Sequence, residues 1–313
     1  MMPKKYRRGI LGVLFTALSL FLLTGCSSKY PVLDPAGPVA TEELHLIELS
    51  ALLCLIVVVP VIILLFVIIA KYRDRPDRKA AYDPEWAEST KLEFVWWSIP
   101  VIIIIILGVF TARSIYHLQS PLTTQTAKAN TKPPLTIEVT SMAWKWVFMY
   151  PEQGVATVNT LDIPTDRPIQ FILTTNGPMN TLWIPALGGQ EMTMPGMAMR
   201  LWLQADKEGV YIGKGGNFSG KGFTDMSFKV HAVSQDNFNK WVSSVKSSSP
   251  KMTTATYKKL TKQDVVGVST FSSYPKSIYS KTIQQYGGKY MKDWMINGTD
   301  PSAMPGMSGK SGM

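Results

Sequence analysis

The sequence predicts a two-helix transmembrane hairpin followed by an exported all-β domain of the sandwich or barrel class, closed by a small helical extension. Three observations carry this. The apolar residues of the 313-residue chain concentrate in the first 115 positions, where two runs are long enough to cross a bilayer. Beyond Leu135, short segments alternate apolar and polar at roughly ten-residue spacing, divided by turn sequences such as "PEQG", "NGP" and "PGM". One later segment, "SQDNFNKWVSSVKS", instead repeats Phe238, Trp241, Val242 and Val245 with helical period.

The first element is "MMPKKYRRGILGVLFTALSLFLLTGCSS". A basic start (Lys4, Lys5, Arg7, Arg8) precedes an apolar stretch, Ile10 to Leu23, of signal-peptide length. It ends in Leu23-Thr24-Gly25-Cys26, which resembles a bacterial lipobox. Residues 1–25 are therefore expected to be a lipoprotein signal peptide, with Cys26 lipidated and 26–43 a linker from that anchor.

Leu49 to Ala70 spans roughly 33 Å as a helix, enough for a hydrocarbon core. With its flanks, 44–70 is the first transmembrane helix and 93–113 the second; Pro60 and Pro100 lie inside them. Membrane helices tolerate such prolines when neighbours re-satisfy the backbone, which hints at packing against further helices. The intervening 71–92 carries Lys71, Arg73, Arg75, Arg78 and Lys79 beside the first span, and so is cytoplasmic. Everything past the second span then lies outside, on the same side as the lipid anchor.

After a polar linker, 114–134, strands are expected at "LTIEVTS", "PIQFILTT" and "MRLWLQA". The exported domain is bounded at 135–247, with a looser aromatic-containing stretch at 248–292 and a disordered Gly/Ser/Met tail at 293–313.

Composition closes several routes. The +10 net charge is spread singly, with no basic cluster interleaved with aromatics, so nucleic acid is excluded. The two cysteines are Cys26 and Cys54, which removes disulfides and thiolate metal sites from the whole exported region. The glycine- and lysine-rich "YIGKGGNFSGKGFTDM" (Tyr211–Met226) invites a phosphate-loop reading. Such a loop needs a helix N-terminus directly behind it, whereas "MSFKVHAV" alternates as a strand. Nothing resembles a nucleophile–base pair, and His231 falls on the polar phase of that strand.

The layout, together with "DPEWAESTKLEFVWWSIPVIIIIILG", "WKWVFMYPEQGVATVN" and "MNTLWIPALGGQEMTMPGM", resembles subunit II of the haem-copper respiratory oxidases. The resemblance covers nearly the whole chain and implies a cupredoxin-like, Greek-key exported domain. In the cytochrome c oxidising branch that domain holds a dinuclear copper centre, written Cys-x-Glu-x-Cys-x-x-x-His-x-x-Met with one upstream His. Setting Met226 on the final Met puts Phe223 on the His, Ser219 and Gly215 on the cysteines, and Asn217 on the Glu. The upstream His falls on Asn180. Five of six ligand side chains are gone, and Gly, Ser and Phe offer no soft donor. The loop looks like a copper loop without copper, as in the quinol oxidases of the cytochrome bo kind.

The resemblance therefore implies a metal-free subunit II of a proton-translocating ubiquinol oxidase in the bacterial inner membrane, with no catalytic centre of its own. Subunit I would carry two haems and one copper and oxidise the quinol; subunits I, III and IV and membrane lipid would be the partners. Soluble cytochrome c would not be, since about 18 Lys and Arg against about 12 Asp and Glu from Leu135 onward poorly steer a basic partner. Trp144 and Trp146 match an aromatic cluster that relays electrons in copper-bearing relatives; with no copper upstream they are read as packing.

Glu93 matches a glutamate that, in the family, stands at the mouth of a proton channel into subunit I. It also fits a capping box with Thr90. A different class of function, an independent membrane lipoprotein binding copper through Met192, Met194, Met197 and Met199, is disfavoured because that cluster lies in strand-like sequence.

Overall fold

A computed structural model describes residues 30–73, 88–119 and 133–287. Cys26 and the Gly/Ser/Met stretch lie outside the described residues.

The two apolar runs form helices α1 (Pro38–Tyr72) and α2 (Thr90–Gln119), each with its proline inside. Both are long and apolar enough to cross a membrane. Each reaches several residues beyond the hydropathic span on the outer side, because polar residues there find partners. The Ser114 hydroxyl of α2 donates to Glu42 of α1 (3.0 Å), and the neighbouring Glu43 accepts from the Gly189 N–H (2.8 Å). Along the rest of their length the isolated helices expose Ile, Val, Leu and Phe, surface that only lipid or other apolar helices can cover.

The first turn of α1 is wedged into the β domain. Ala36 N–H donates to Ala186 O, and Asp206 N–H donates to Ala36 O. Gly188, at φ +87°, leaves no space for a side chain: a Cβ would stand 2.5 Å from the Ala40 nitrogen. Glycine is required there to let the helix in.

Eleven strands among the described residues build two facing sheets: β1 (Leu135–Met142), β2 (Lys145–Tyr150), β3 (Val155–Val158), β4 (Thr160–Pro164), β5 (Ile169–Asn176), β6 (Asn180–Ile184), β7 (Gly188–Thr193), β8 (Met199–Leu203), β9 (Gly209–Gly215), β10 (Ser227–Val233) and β11 (Ser269–Phe271). One sheet runs β11-β3-β2-β1-β5-β8, the other β4-β10-β9-β6-β7. The pairs β1/β5 and β4/β10 are parallel, which requires the chain to cross between sheets; the remaining pairs are antiparallel. The expected alternation places Leu135, Ile137, Val139, Phe171 and Leu173 inward, against Phe228 and Val230.

β2, "KWVFMY", is buried on both faces, and so cannot alternate in hydrophobicity. Its second face is covered by the stretch that was expected to be loose. After α3 (Gln235–Ser248), capped by Ser234, come two short helices, α4 (Thr254–Leu260) and α5 (Ile278–Gln285). Met252, Tyr257, Phe271, Ile278, Tyr279 and Ile283 pack on Met142, Val147, Met149 and Ile172 as a second apolar cluster. The sandwich thus has a third layer. Helices of seven and eight residues show too few turns for a period to stand out in sequence.

Candidate functional site

The six positions matched to a copper centre lie at the sandwich end that joins β9 to β10 and opens β6. The loop Gly216–Met226 runs strand to strand and holds only a three-residue 3-10 turn, Phe223–Asp225, so it presents no helix N-terminus to an anion.

Four of the six positions come together. Asn180, fully buried, donates its amide N–H to the Met226 sulfur (3.0 Å), and its oxygen accepts from the N–H of Thr181 (2.7 Å) and of Asn217 (3.4 Å). The Thr181 hydroxyl donates to the Asn217 side-chain oxygen (2.9 Å). Gly215 completes the group by omission: a Cβ there would stand 2.7 Å from the Asn180 oxygen. Asn180 and Gly215 therefore fit only as a pair, the amide filling the volume that the glycine leaves free.

Ser219 and Phe223 lie on the outer half of the loop. The Ser219 carbonyl accepts from the Trp144 indole N–H (3.0 Å), and Phe223 stands edge-on to Phe218 at 5.7 Å. Trp144 sits in the tight β1–β2 turn at φ +64°, an uncommon conformation for a bulky residue. Its ring lies against Gly222, where a Cβ would come within 2.4 Å. Trp146 is wholly buried and packs on Phe228 at 5.7 Å. The two tryptophans thus separate: one is core, the other covers the loop.

A dinuclear copper centre asks for thiolate and imidazole donors. This end of the sandwich offers amides, a hydroxyl and one thioether that already accepts a hydrogen bond. Among the described residues no group of three His, Cys, Asp or Glu side chains is placed to hold a metal ion. The residues present do not fit the centre. The methionine cluster is spread over β7, the turn after it and β8, with Met192, Met194 and Met199 partly buried and Met197 exposed.

Glu93 lies in the first turn of α2. Its backbone N–H donates to Ser89 O (3.0 Å), so the helix starts one residue earlier than a Thr90 cap requires. Among the described residues the Glu93 carboxylate makes no hydrogen bond or ion pair, and the expected capping box is not formed. It is left partly exposed at the inner end of the span.

Three buried or half-buried ionisable groups escaped the sequence reading. Lys145 has no exposed surface, and its ammonium donates to the carbonyls of Leu260 (3.1 Å) and Lys262 (2.7 Å) in the third layer. Burial lowers its pKa, opposed by Asp264. Burial pushes the carboxyls of Glu138, under the third layer, and Asp162, beside His231 on β10, each up to about 7. The signal for Lys145 was present, a lone lysine inside the otherwise apolar run "WKWVFMY".

The cytochrome c oxidase subunit II models match this chain in two parts, the transmembrane domain over residues 27–113 and the periplasmic domain over 151–233. Quinol oxidase subunit 2 of Bacillus cereus is 44% identical over 279 residues, covering 88% of this chain and 94% of that protein. Quinol oxidase subunit 2 of Bacillus subtilis is 45% identical over 256 residues, covering 81% and 78%. Cytochrome bo(3) ubiquinol oxidase subunit 2 of Pseudomonas putida is 40% identical over 289 residues, covering 92% and 89%. The two spans and the cupredoxin-like sandwich are those of subunit II, and the chain belongs to the quinol oxidase subunit 2 family.

Proposed function

We propose that this chain is the metal-free subunit II of a proton-translocating quinol oxidase complex of the inner membrane. The observation that carries this is the amide network at the former ligand positions: Asn180, Gly215, Asn217 and Met226 form a closed hydrogen-bonded group with no soft donor to spare. A sandwich built this way holds no electron acceptor for a soluble donor such as cytochrome c. Electrons then pass from quinol into subunit I, where two haems and one copper do the chemistry.

The chain's own work is mechanical and protonic. Its two helices, apolar on nearly all sides, clamp subunit I within the bilayer, and the sandwich caps the outer face. Cys26 is lipidated as a second membrane attachment, and subunits III and IV complete the assembly. Glu93, a carboxylate without a partner among the described residues at the cytoplasmic end of α2, collects protons at the mouth of a channel into subunit I.

The test is a mild-detergent pull-down from native membranes, assayed for a haem spectrum, quinol-driven oxygen consumption and copper per chain. Haem with quinol oxidation, and copper accounted for by subunit I alone, supports the assignment. Copper on the isolated chain without haem overturns it in favour of a copper-binding lipoprotein. Within the assembled oxidase, Glu93→Ala is expected to slow turnover several-fold with the haem spectrum intact; unchanged turnover removes Glu93 from proton uptake.

A further inference from the structure

The two spans cover each other only in part. Burial along them is confined to Leu53 of α1 and, at the outer end of α2, Ser114, whose hydroxyl donates to Glu42. From Cys54 to Tyr72 every residue of α1 is exposed. The inner halves of the helices therefore leave an uncovered cleft between them. Pro60 stands in it, because about two turns of helix return it to the side of Leu53.

Polar groups are not spread evenly round α2. At about 100° per residue, Glu93, Pro100, Ile104 and Thr111 fall within about 20° of one line. Three of the four leave a polar group unmet. The Glu93 carboxylate and the Thr111 hydroxyl make no hydrogen bond among the described residues, and Pro100 has no N–H to give the Trp96 carbonyl. The line runs for about 27 Å, and it lies about 60° round from Ser114, beside the cleft.

On the far side of α2, Ser98, Ile102, Ile105 and Val109 form a second line. Its one hydroxyl is already met, since Ser98 donates to the Phe94 carbonyl (2.6 Å). Exposure does not separate the two lines: Ile104 is 66% exposed and Val109 63%. Their polar chemistry does.

Hydrocarbon offers no partner to a carboxylate, a hydroxyl or a freed carbonyl, whereas a neighbouring helix can supply one. We infer that the face of α2 marked by Glu93, Pro100, Ile104 and Thr111, with the cleft at Pro60, seats a transmembrane helix of subunit I that carries hydrogen-bond donors. The face marked by Ser98, Ile102, Ile105 and Val109 meets lipid. The inference rests on the reading of the chain as a subunit of an oxidase complex, and it names the surface by which the spans hold their partner.

The test is photo-crosslinking of the assembled oxidase in native membranes, with Ile102, Ile104 or Val109 replaced singly by benzoylphenylalanine. The label in place of Ile104 is expected to join the chain to subunit I at least about fivefold more than the other two, which should give lipid adducts. Equal yields, or a higher yield in place of Ile102 or Val109, overturn the inference. So does a crosslink in place of Ile104 to a second copy of this chain or to lipid alone. A second readout needs no label: Ile104→Trp should lower the haem that copurifies with the chain several-fold, and Val109→Trp should leave it unchanged. The reverse pattern overturns the inference as well. Haem on the unaltered chain reports on the oxidase reading separately. Its absence removes that reading, whereas haem without a crosslink in place of Ile104 removes the assignment of faces alone.

Discussion

Lys145 shows what one buried charge can organise. Its ammonium ends on two carbonyls of the third layer, so its stem and head together pin that layer to the β1–β2 hairpin. Lys145→Ala is expected to destabilise the exported domain by about 2–4 kcal/mol, from lost packing and two unsatisfied carbonyls, as read by denaturant unfolding. Glu138 acts in the opposite sense. No hydrogen bond or ion pair of its carboxyl is found among the described residues, and burial raises its pKa to about 7, well above the unfolded value. The folded state therefore holds a proton that the unfolded state has released between about pH 4.5 and 7. Its stabilising effect is complete below about pH 4.5 and is lost as pH rises through 7. Thermal unfolding should show a domain more stable at pH 5 than at pH 8, with Glu138→Gln flattening the difference by on the order of 1–2 kcal/mol. Asp162, raised for the same reason, leaves a residual slope of the same sign in that variant.

At the scale of elements, the β9–β10 loop and the start of β6 act as one unit. Gly215 and Asn180 are mutually fitted, so restoring donors one at a time is expected to fail: Gly215→Cys alone places a Cβ against the Asn180 oxygen. The combined replacement of Asn180 by His, Gly215 by Cys, Asn217 by Glu, Ser219 by Cys and Phe223 by His, keeping Met226, should bind a copper pair with strong visible absorption. The parent chain should bind none at that place. A refolded, copper-free combined variant would show that these positions were matched wrongly. The helices and the sandwich strands were legible in sequence because each repeats a period over several turns or pairs: Leu135, Ile137 and Val139 for a strand, Phe238, Trp241, Val242 and Val245 for a helix. The layer of α4 and α5 was not, since its two helices are short and its anchors, Tyr257 and Tyr279, are spaced by loops.

At the scale of the molecule, three attachments hold the sandwich: the first turn of α1 wedged at Gly188, the Glu43–Gly189 bond, and the third layer clasped by Lys145. The layer is integral to the domain. A chain ended after Ser248 would uncover Met142, Val147, Met149 and Ile172 and leave the Lys145 ammonium without acceptors. Such a truncation is expected to aggregate or to unfold at least 10 °C lower than the full chain, as measured by light scattering and thermal unfolding. A soluble, equally stable truncation would reduce the layer to an ornament on the fold.

The sequence by itself determined the membrane hairpin, the β class of the exported domain, the helix at 235–248 and the absence of thiolates from the Tyr211–Met226 loop. These follow from hydropathy, local periodicity and residue chemistry, all of which act within a few residues of chain. Only the tertiary structure decided that Asn180, Asn217 and Met226 bond to one another, that Trp144 and Trp146 part company, and that Lys145 ends on the Leu260 and Lys262 carbonyls. Each of these joins residues from separate elements. Their energetics depend on which groups the fold brings within hydrogen-bond reach and which it removes from water, and no local pattern encodes that.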